Sequence, residues 1–297
     1  MSSAYQRKLT RENPGLIVLL LDGSLSMDDP WSTSGNTIAE GAAFALNRTL
    51  RDLALNACYN AEDGTRNYMN VAVFTYGTEL GDGQGVEWTF GNLSQPSRGY
   101  AVATEWVPAY IRQKKTDSGS LPIWLEPHAV GWTPMCKAFN QAAEVVQQHV
   151  ADFPEAFPPI VLNITDGMPT DHQDDWNLFE RAAKAITSHK TGDGQALLFN
   201  IHIDGTGQEN TVLFPDHPPQ HSTYAEHLAR ISSTLPANMV RLANDKLGLG
   251  ITEAALGYCL NADMQQLSAF LQIGTYVVPT PTVHDGYADA PGQALVE

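Results

Sequence analysis

The sequence predicts an α/β fold: a doubly wound, mostly parallel six-stranded sheet flanked by helices, with one antiparallel edge strand. Two stretches, LIVLLLD at 16–22 and PIVLNIT at 159–165, are apolar at almost every position. Strands buried on both faces of a parallel sheet look like this, because helices cover them on either side. Amphipathic stretches alternate with these runs, which is the order of βαβ units. No internal repeat and no linker divides the chain into two cores.

Taken in order, residues 1–12 read as a polar N-terminal arm and 16–22 as the first strand. A loop rich in Ser, Asp and Pro follows over 23–35 and carries Trp31. Ile38, Ala42, Leu46, Leu50 and Leu53 recur at helical spacing within a helix expected over 37–59. MNVAVFT at 69–75 is the second strand, and 86–90 pairs with it antiparallel across a Gly-rich turn. The stretch 94–130 is an irregular, aromatic-rich insertion punctuated by four prolines, with one helix expected over 101–114. Its Tyr100, Trp106, Tyr110 and Trp124 either cover the core or contact a partner, the first being the more common use of such residues.

The next helix is expected over 135–150, with Thr133 as its N-cap and Pro134 as its first residue. The fourth strand ends at Thr165, and a helix follows near 174–188. A fifth strand at 197–203, a helix at 222–232, a short sixth strand at 239–242 and a last helix at 251–271 complete the reading. From 274 to 297 the composition turns to Pro, Thr, Gly and Asp, which predicts a flexible C-terminal tail.

The chain has 297 residues, of which 43% are hydrophobic, and a formal net charge of −16. A polyanion of this size does not bind nucleic acid electrostatically. Cys58, Cys136 and Cys259 are odd in number and far apart, so they read as reduced core thiols. The opening MSSAYQRKLTRENPG has no apolar stretch of the signal-peptide kind, and no run is long enough to span a bilayer. These features predict a cytoplasmic protein that does not insert into membranes.

The chemistry starts where the first strand stops. Asp22, Ser24 and Ser26 follow one another at alternate positions. A buried strand delivers them to the carboxyl end of the sheet, the edge where open α/β sheets bind ligands. Three short oxygen side chains converging from a turn suit a hard cation such as Mg²⁺, with Mn²⁺ or Ca²⁺ as alternatives. Each residue also has a plain structural role open to it: Asp22 and Asp166 as turn caps, the serines as backbone partners, Thr133 as a helix cap.

Three segments in this order resemble a von Willebrand factor A (VWA) domain with a complete metal-ion-dependent adhesion site. They are Asp22-Gly23-Ser24-Leu25-Ser26, the Gly-Trp-Thr-Pro turn containing Thr133, and the Thr-Asp-Gly turn containing Asp166. The resemblance covers residues 13–273. It implies that Ser24 and Ser26 bind the metal directly, Thr133 directly or through water, and Asp22 and Asp166 largely through water. Hydroxyl donors and water-mediated carboxylates leave the cation incompletely neutralised, and Mg²⁺ wants about six oxygens. A partner's Asp or Glu is the natural last donor.

The function this implies is metal-dependent protein binding, not catalysis. Thr165–Thr170, reading TDGMPT, is similar to intracellular bacterial VWA proteins of the tellurium-resistance type. That likeness implies a signalling or stress-response complex whose partner is a protein kinase or a PP2C-like phosphatase. One alternative is a Mg²⁺-dependent phosphohydrolase with Asp22 as nucleophile. Its usual general acid, two residues on, is replaced here by Ser24. A metal-free scaffold is the other. His202 with Asp204, the set His217, His221 and His227, and the acidic run Asp171, Asp174 and Asp175 are weaker clusters; the histidines match no usual zinc spacing.

Overall fold

The computed structural model describes residues 4–31, 35–116, 119–203, 211–220 and 222–275. Strand β1, Gly15–Asp22, is buried along its whole length. It leads to helix α1, Ile38–Leu53, whose start is fixed by a capping box: Glu40 N donates to the Thr37 hydroxyl and Thr37 N to the Glu40 carboxylate. Next come β2, Met69–Thr78, and β3, Gly85–Trp88. Helix α2, Met135–Asp152, then leads to β4, Ile160–Thr165. Helix α3, Trp176–Thr187, precedes β5, Leu197–His202, and β6, Val212–Leu213. Helices α4, Thr223–Ile231, and α5, Ala237–Leu247, precede β7, Tyr258–Leu260, and α6, Met264–Gly274.

The central sheet has seven strands in the order β6-β7-β5-β4-β1-β2-β3. Its interior pairs are parallel, and both edge strands, β3 and β6, run antiparallel. Strand alternation sorts the core into two layers. Ile17, Leu19 and Leu21 of β1 pack with α1, α5 and α6, whereas Leu16, Val18 and Leu20 pack with α2, α3 and α4. From β1 the chain passes through α1 to β2 on one side, and later returns to β4 on the other. The carboxyl ends of β1 and β4 therefore flank a topological switch point, where loops diverge and leave a crevice.

The structure differs from the sequence expectations at several elements. The sheet has seven strands instead of six and two antiparallel edges instead of one. Residues 239–242 lie within helix α5, where Met239, Val240 and Ala243 are buried at helical spacing. The strand on that side is Tyr258–Leu260, inside the stretch expected to be helical; α6 begins only at Met264. The strand pairs in parallel with Asn200–His202, and Gly257 just before it lies so close to the Phe199 ring that a Cβ would come within 2.0 Å of Cδ1. In 101–114 only Ala103–Trp106 is helical, and Arg112–Thr116 instead pairs with Gly119–Ile123 in a hairpin.

The aromatics of the 94–130 insertion are core. Trp106 and Trp124 are buried, their rings 5.8 Å apart, and Trp106 Nε1 donates to the Met69 carbonyl. The polar lead is also tied down: Gln6 N and Arg7 N donate to the Asp193 carboxylate, and Leu9 is buried. Residues 276–297 of the expected tail lie outside the described residues, and Gly274 belongs to α6. All three cysteines are free and buried, and burial pushes the Cys58 thiol up to about 12. Among the described residues no helix is long and apolar enough to cross a membrane.

Candidate metal centre

Asp22 ends β1 on the face that carries Leu16, Val18 and Leu20, so it points into the layer beneath α2 and is fully buried. Gly23 follows because nothing larger fits: a Cβ there would lie 2.8 Å from both Thr75 Cγ2 and His128 Cδ2. The chain then turns across the sheet edge. Leu25 N donates to the Gly131 carbonyl at 2.9 Å, and Ser24 bridges to Gly131 as a short parallel extension. That pairing brings the loop before α2 against the loop after β1.

The close approach depends on glycine on both sides. A Cβ on Gly131 would fall 2.2 Å from the Gly77 carbonyl oxygen, and one on Gly77 would fall 2.1 Å from that of Trp132. Thr133 is buried, but it does not cap α2. The N-cap is Pro134, without a side-chain hydrogen bond. The cap comes from a distant loop: the Asp171 carboxylate accepts from Cys136 N at 3.0 Å and Lys137 N at 2.9 Å. Thr170 locks the same two loops together, its N–H donating to the Thr133 carbonyl and its hydroxyl accepting from Thr133 N. The cap that the sequence predicts at Thr133 is therefore made by Asp171, from the acidic run after β4.

Asp166 lies directly after β4 and reaches across to the first loop. Ser26 Oγ donates to Asp166 Oδ1 at 2.9 Å, and Ser24 Oγ lies 3.4 Å from the same oxygen. The two serine hydroxyls are 3.2 Å apart. Gly167 lines the mouth: a Cβ built there would sit 3.5 Å from Thr133 Oγ1 and 3.8 Å from Ser26 Oγ. The structure thus brings four of the predicted residues, Ser24, Ser26, Thr133 and Asp166, around one point. Asp22 sits immediately behind them.

Both oxygens of Asp22 are engaged. Oδ1 accepts from Ser24 N at 2.9 Å, an Asx-turn, and Oδ2 accepts from the Thr165 hydroxyl at 2.6 Å. Burial, and then the charge of Asp166, push Asp22 up to about 7; burial pushes Asp166 up to about 6. Two carboxylates held close together in a buried site repel each other when ionised. A divalent cation removes that repulsion, and an all-oxygen set of carboxylates and hydroxyls matches the hard ions Mg²⁺, Mn²⁺ and Ca²⁺. The residues present therefore fit such an ion. Among the described residues no group of three or more His, Cys, Asp or Glu side chains is arranged to hold a metal, so this mixed hydroxyl–carboxylate set stands apart from a zinc-type site.

A buried polar layer behind Asp22 was not assigned from the sequence. Tyr224 OH donates to Thr165 Oγ1 at 3.5 Å, Tyr76 OH to Asn163 Oδ1 at 2.9 Å, and Asn163 Nδ2 to Asn200 Oδ1 at 3.0 Å. Its signal was the single Asn that interrupts each of the runs VLNIT and LLFNI. Several members of the weaker clusters take structural roles. His202 Nδ1 lies 3.3 Å from Tyr258 OH, and His227 stacks on Trp176 and meets Glu180. Asp175 caps α3. Asp204 and His221 lie outside the described residues.

No family model matches the chain, and no curated protein matches it. Among solved structures it is similar to the PilB minor pilin of Streptococcus sanguinis, with a TM-score of 0.44 and 13% identity over 89% of this chain and 61% of that one. It is also similar to the pilus adhesin RrgA of Streptococcus pneumoniae, with a TM-score of 0.29 and 17% identity over 57% of this chain and 22% of the adhesin. The chain spans less than two thirds of either structure.

Proposed function

We propose that this chain is a metal-dependent protein-binding module of the von Willebrand factor A type. The observation that carries the reading is the convergence of Ser24, Ser26 and Asp166 within hydrogen-bond reach of one another, beside Thr133 and in front of buried Asp22. When bound, a divalent cation supplies positive charge that the hydroxyls do not cancel, and so attracts a carboxylate from outside. The chain's own residues shape that event. Ser24, Ser26 and Thr133 offer neutral oxygens, Asp166 and Asp22 supply the countercharge, and Thr165 holds Asp22 in place.

Binding is favoured over phosphoryl hydrolysis by the state of Asp22. A nucleophile must reach its substrate, whereas this carboxylate is fully buried with both oxygens engaged. The sequence likeness at Thr165–Thr170 extends the proposal to a cytoplasmic stress-response or signalling complex with a kinase or PP2C-like phosphatase. The partner's contribution is an Asp or Glu.

Two measurements test the reading together. Titration calorimetry with Mg²⁺ and Mn²⁺ should show one site in the wild type and none in Asp166→Ala. Affinity capture from native lysate should retain a partner in Mg²⁺, release it with EDTA, and fail with Asp22→Ala/Ser24→Ala. A partner held equally in EDTA, or turnover of a generic phosphate ester by the wild type, would refute it.

A further inference from the structure

Among the described residues large apolar side chains are exposed at few places, and most of those places lie near the candidate site. Of the six that stand out among the described residues, four lie on the loops that carry the candidate donors, Leu25, Val130, Trp132 and Met168, and Leu80 lies in the β2–β3 turn, whose Gly77 and Gly83 approach Trp132. Ile111, in the hairpin region, is the sixth. Leu25 is 67% exposed, Trp132 58% and Met168 53%. Each is interleaved with a donor: Leu25 between Ser24 and Ser26, Trp132 next to Thr133, Met168 two residues beyond Asp166. Contiguous exposed apolar surface on a soluble domain marks an interaction site.

The Trp132 backbone is held firmly beneath its exposed ring. Its N–H donates to the Gly83 carbonyl at 2.8 Å, and its own carbonyl packs against Gly77, at a backbone φ of +79° that favours glycine. An exposed indole on a fixed backbone loses little conformational freedom on binding, which is the property of an interface anchor. The loop after β1 also carries exposed Asp28 and Asp29, and the β2–β3 turn exposed Glu79 and Asp82, on a chain of net charge −16. These carboxylates repel polyanions and attract bases.

We infer that the occupant of this face is a protein segment presenting one Asp or Glu between apolar or aromatic side chains, with Lys or Arg further out. The acid completes the metal shell, its apolar neighbours cover Leu25, Trp132 and Met168, and the basic flanks face the exposed carboxylates. The inference rests on the proposed metal-dependent binding and adds what selects the ligand.

The probe is a random cyclic-peptide display library, selected on the full chain in Mn²⁺ and eluted with EDTA. The expected consensus is an acid flanked by Trp, Phe, Leu or Ile, with basic outer positions. A synthetic consensus peptide should bind Trp132→Ser at least about tenfold more weakly than wild type. Mn²⁺ binding by calorimetry should be the same in both. The inference is overturned if the selected peptides carry their acid among polar neighbours, or if Trp132→Ser binds them as wild type does. It is also overturned if a chain that binds Mn²⁺ yields no EDTA-eluted peptide, if acetate displaces the consensus peptide at equal concentration, or if sedimentation shows a second copy covering the face. A wild type that does not bind Mn²⁺ fails at the metal instead, and the calorimetry separates that failure from the others.

Discussion

Asp22 is a turn cap and, in the proposed metal centre, a source of countercharge, and the two parts support each other. The Asx-turn to Ser24 N fixes where the following hydroxyls point, and Thr165 fixes the other oxygen. Residue-scale chemistry elsewhere in the fold runs the opposite way. His149 in α2 is fully buried, edge-on to Tyr100, with its Nδ1 3.5 Å from Asn70 Nδ2. Burial pushes it down to about 4, against the opposing pull of Asp152 and the Pro14 carbonyl. Between the ordinary value of 6.5 and about 4, the unfolded chain binds a proton that the folded one refuses. Stability from this group is complete above the upper limit and falls as pH drops through the window, by about 3 kcal/mol in all. Urea denaturation across that range should therefore show a smaller fall in His149→Phe than in wild type. Equal slopes would show that His149 titrates normally in the folded state.

At the scale of elements, Gly41 in α1 reverses the usual rule for a helix interior. Gly→Ala at an exposed helix site stabilises by about 1 kcal/mol. Here a Cβ would lie 1.9 Å from the buried Trp31 ring, so Gly41→Ala should destabilise by about 1–3 kcal/mol. A raised midpoint in thermal denaturation would contradict the packing. The same contrast between local pattern and tertiary contact explains what was legible. β1 and β4 were readable because burial on both faces writes a continuous apolar run, and β1, β2 and α2 kept their predicted places. Three-residue β7 is too short to carry a period, and it is held by its long-range pairing with Asn200–His202 of β5. The Arg112–Thr116 strand is almost wholly exposed, so no apolar alternation announces it. Thr133 looked like a cap because the true cap, Asp171, arrives from a loop that only the fold brings near. The candidate donor set was legible because four of its five residues lie in two tight turns; the exposed apolar residues beside it were not, since single exposed apolar residues are common in any chain.

For the whole molecule, the proposed metal centre would place a stability cost where the proposed function needs it. Asp22 and Asp166 sit at the switch point of the sheet, at the ends of two central strands, and burial of Asp22 beside the charge of Asp166 opposes the closure of that edge in the metal-free protein when both are ionised. A ligand that binds only the folded state stabilises it by about 2.7 kcal/mol at a hundredfold excess over its dissociation constant. For a chain of this size that corresponds to a rise in Tm of roughly 4 °C. Saturating Mg²⁺ or Mn²⁺ should produce such a rise at pH 7.5, and EDTA should reverse it. Asp166→Asn should separate the two effects. Removing one charge relieves the repulsion, so the metal-free variant should be more stable than metal-free wild type, by on the order of 1 kcal/mol. It should also lose the metal-induced rise, because the countercharge that draws in the cation is gone. A variant less stable than wild type without metal would mean that the Asp166 bonds to Ser24 and Ser26 outweigh the repulsion. A variant that keeps the full rise would place the cation elsewhere.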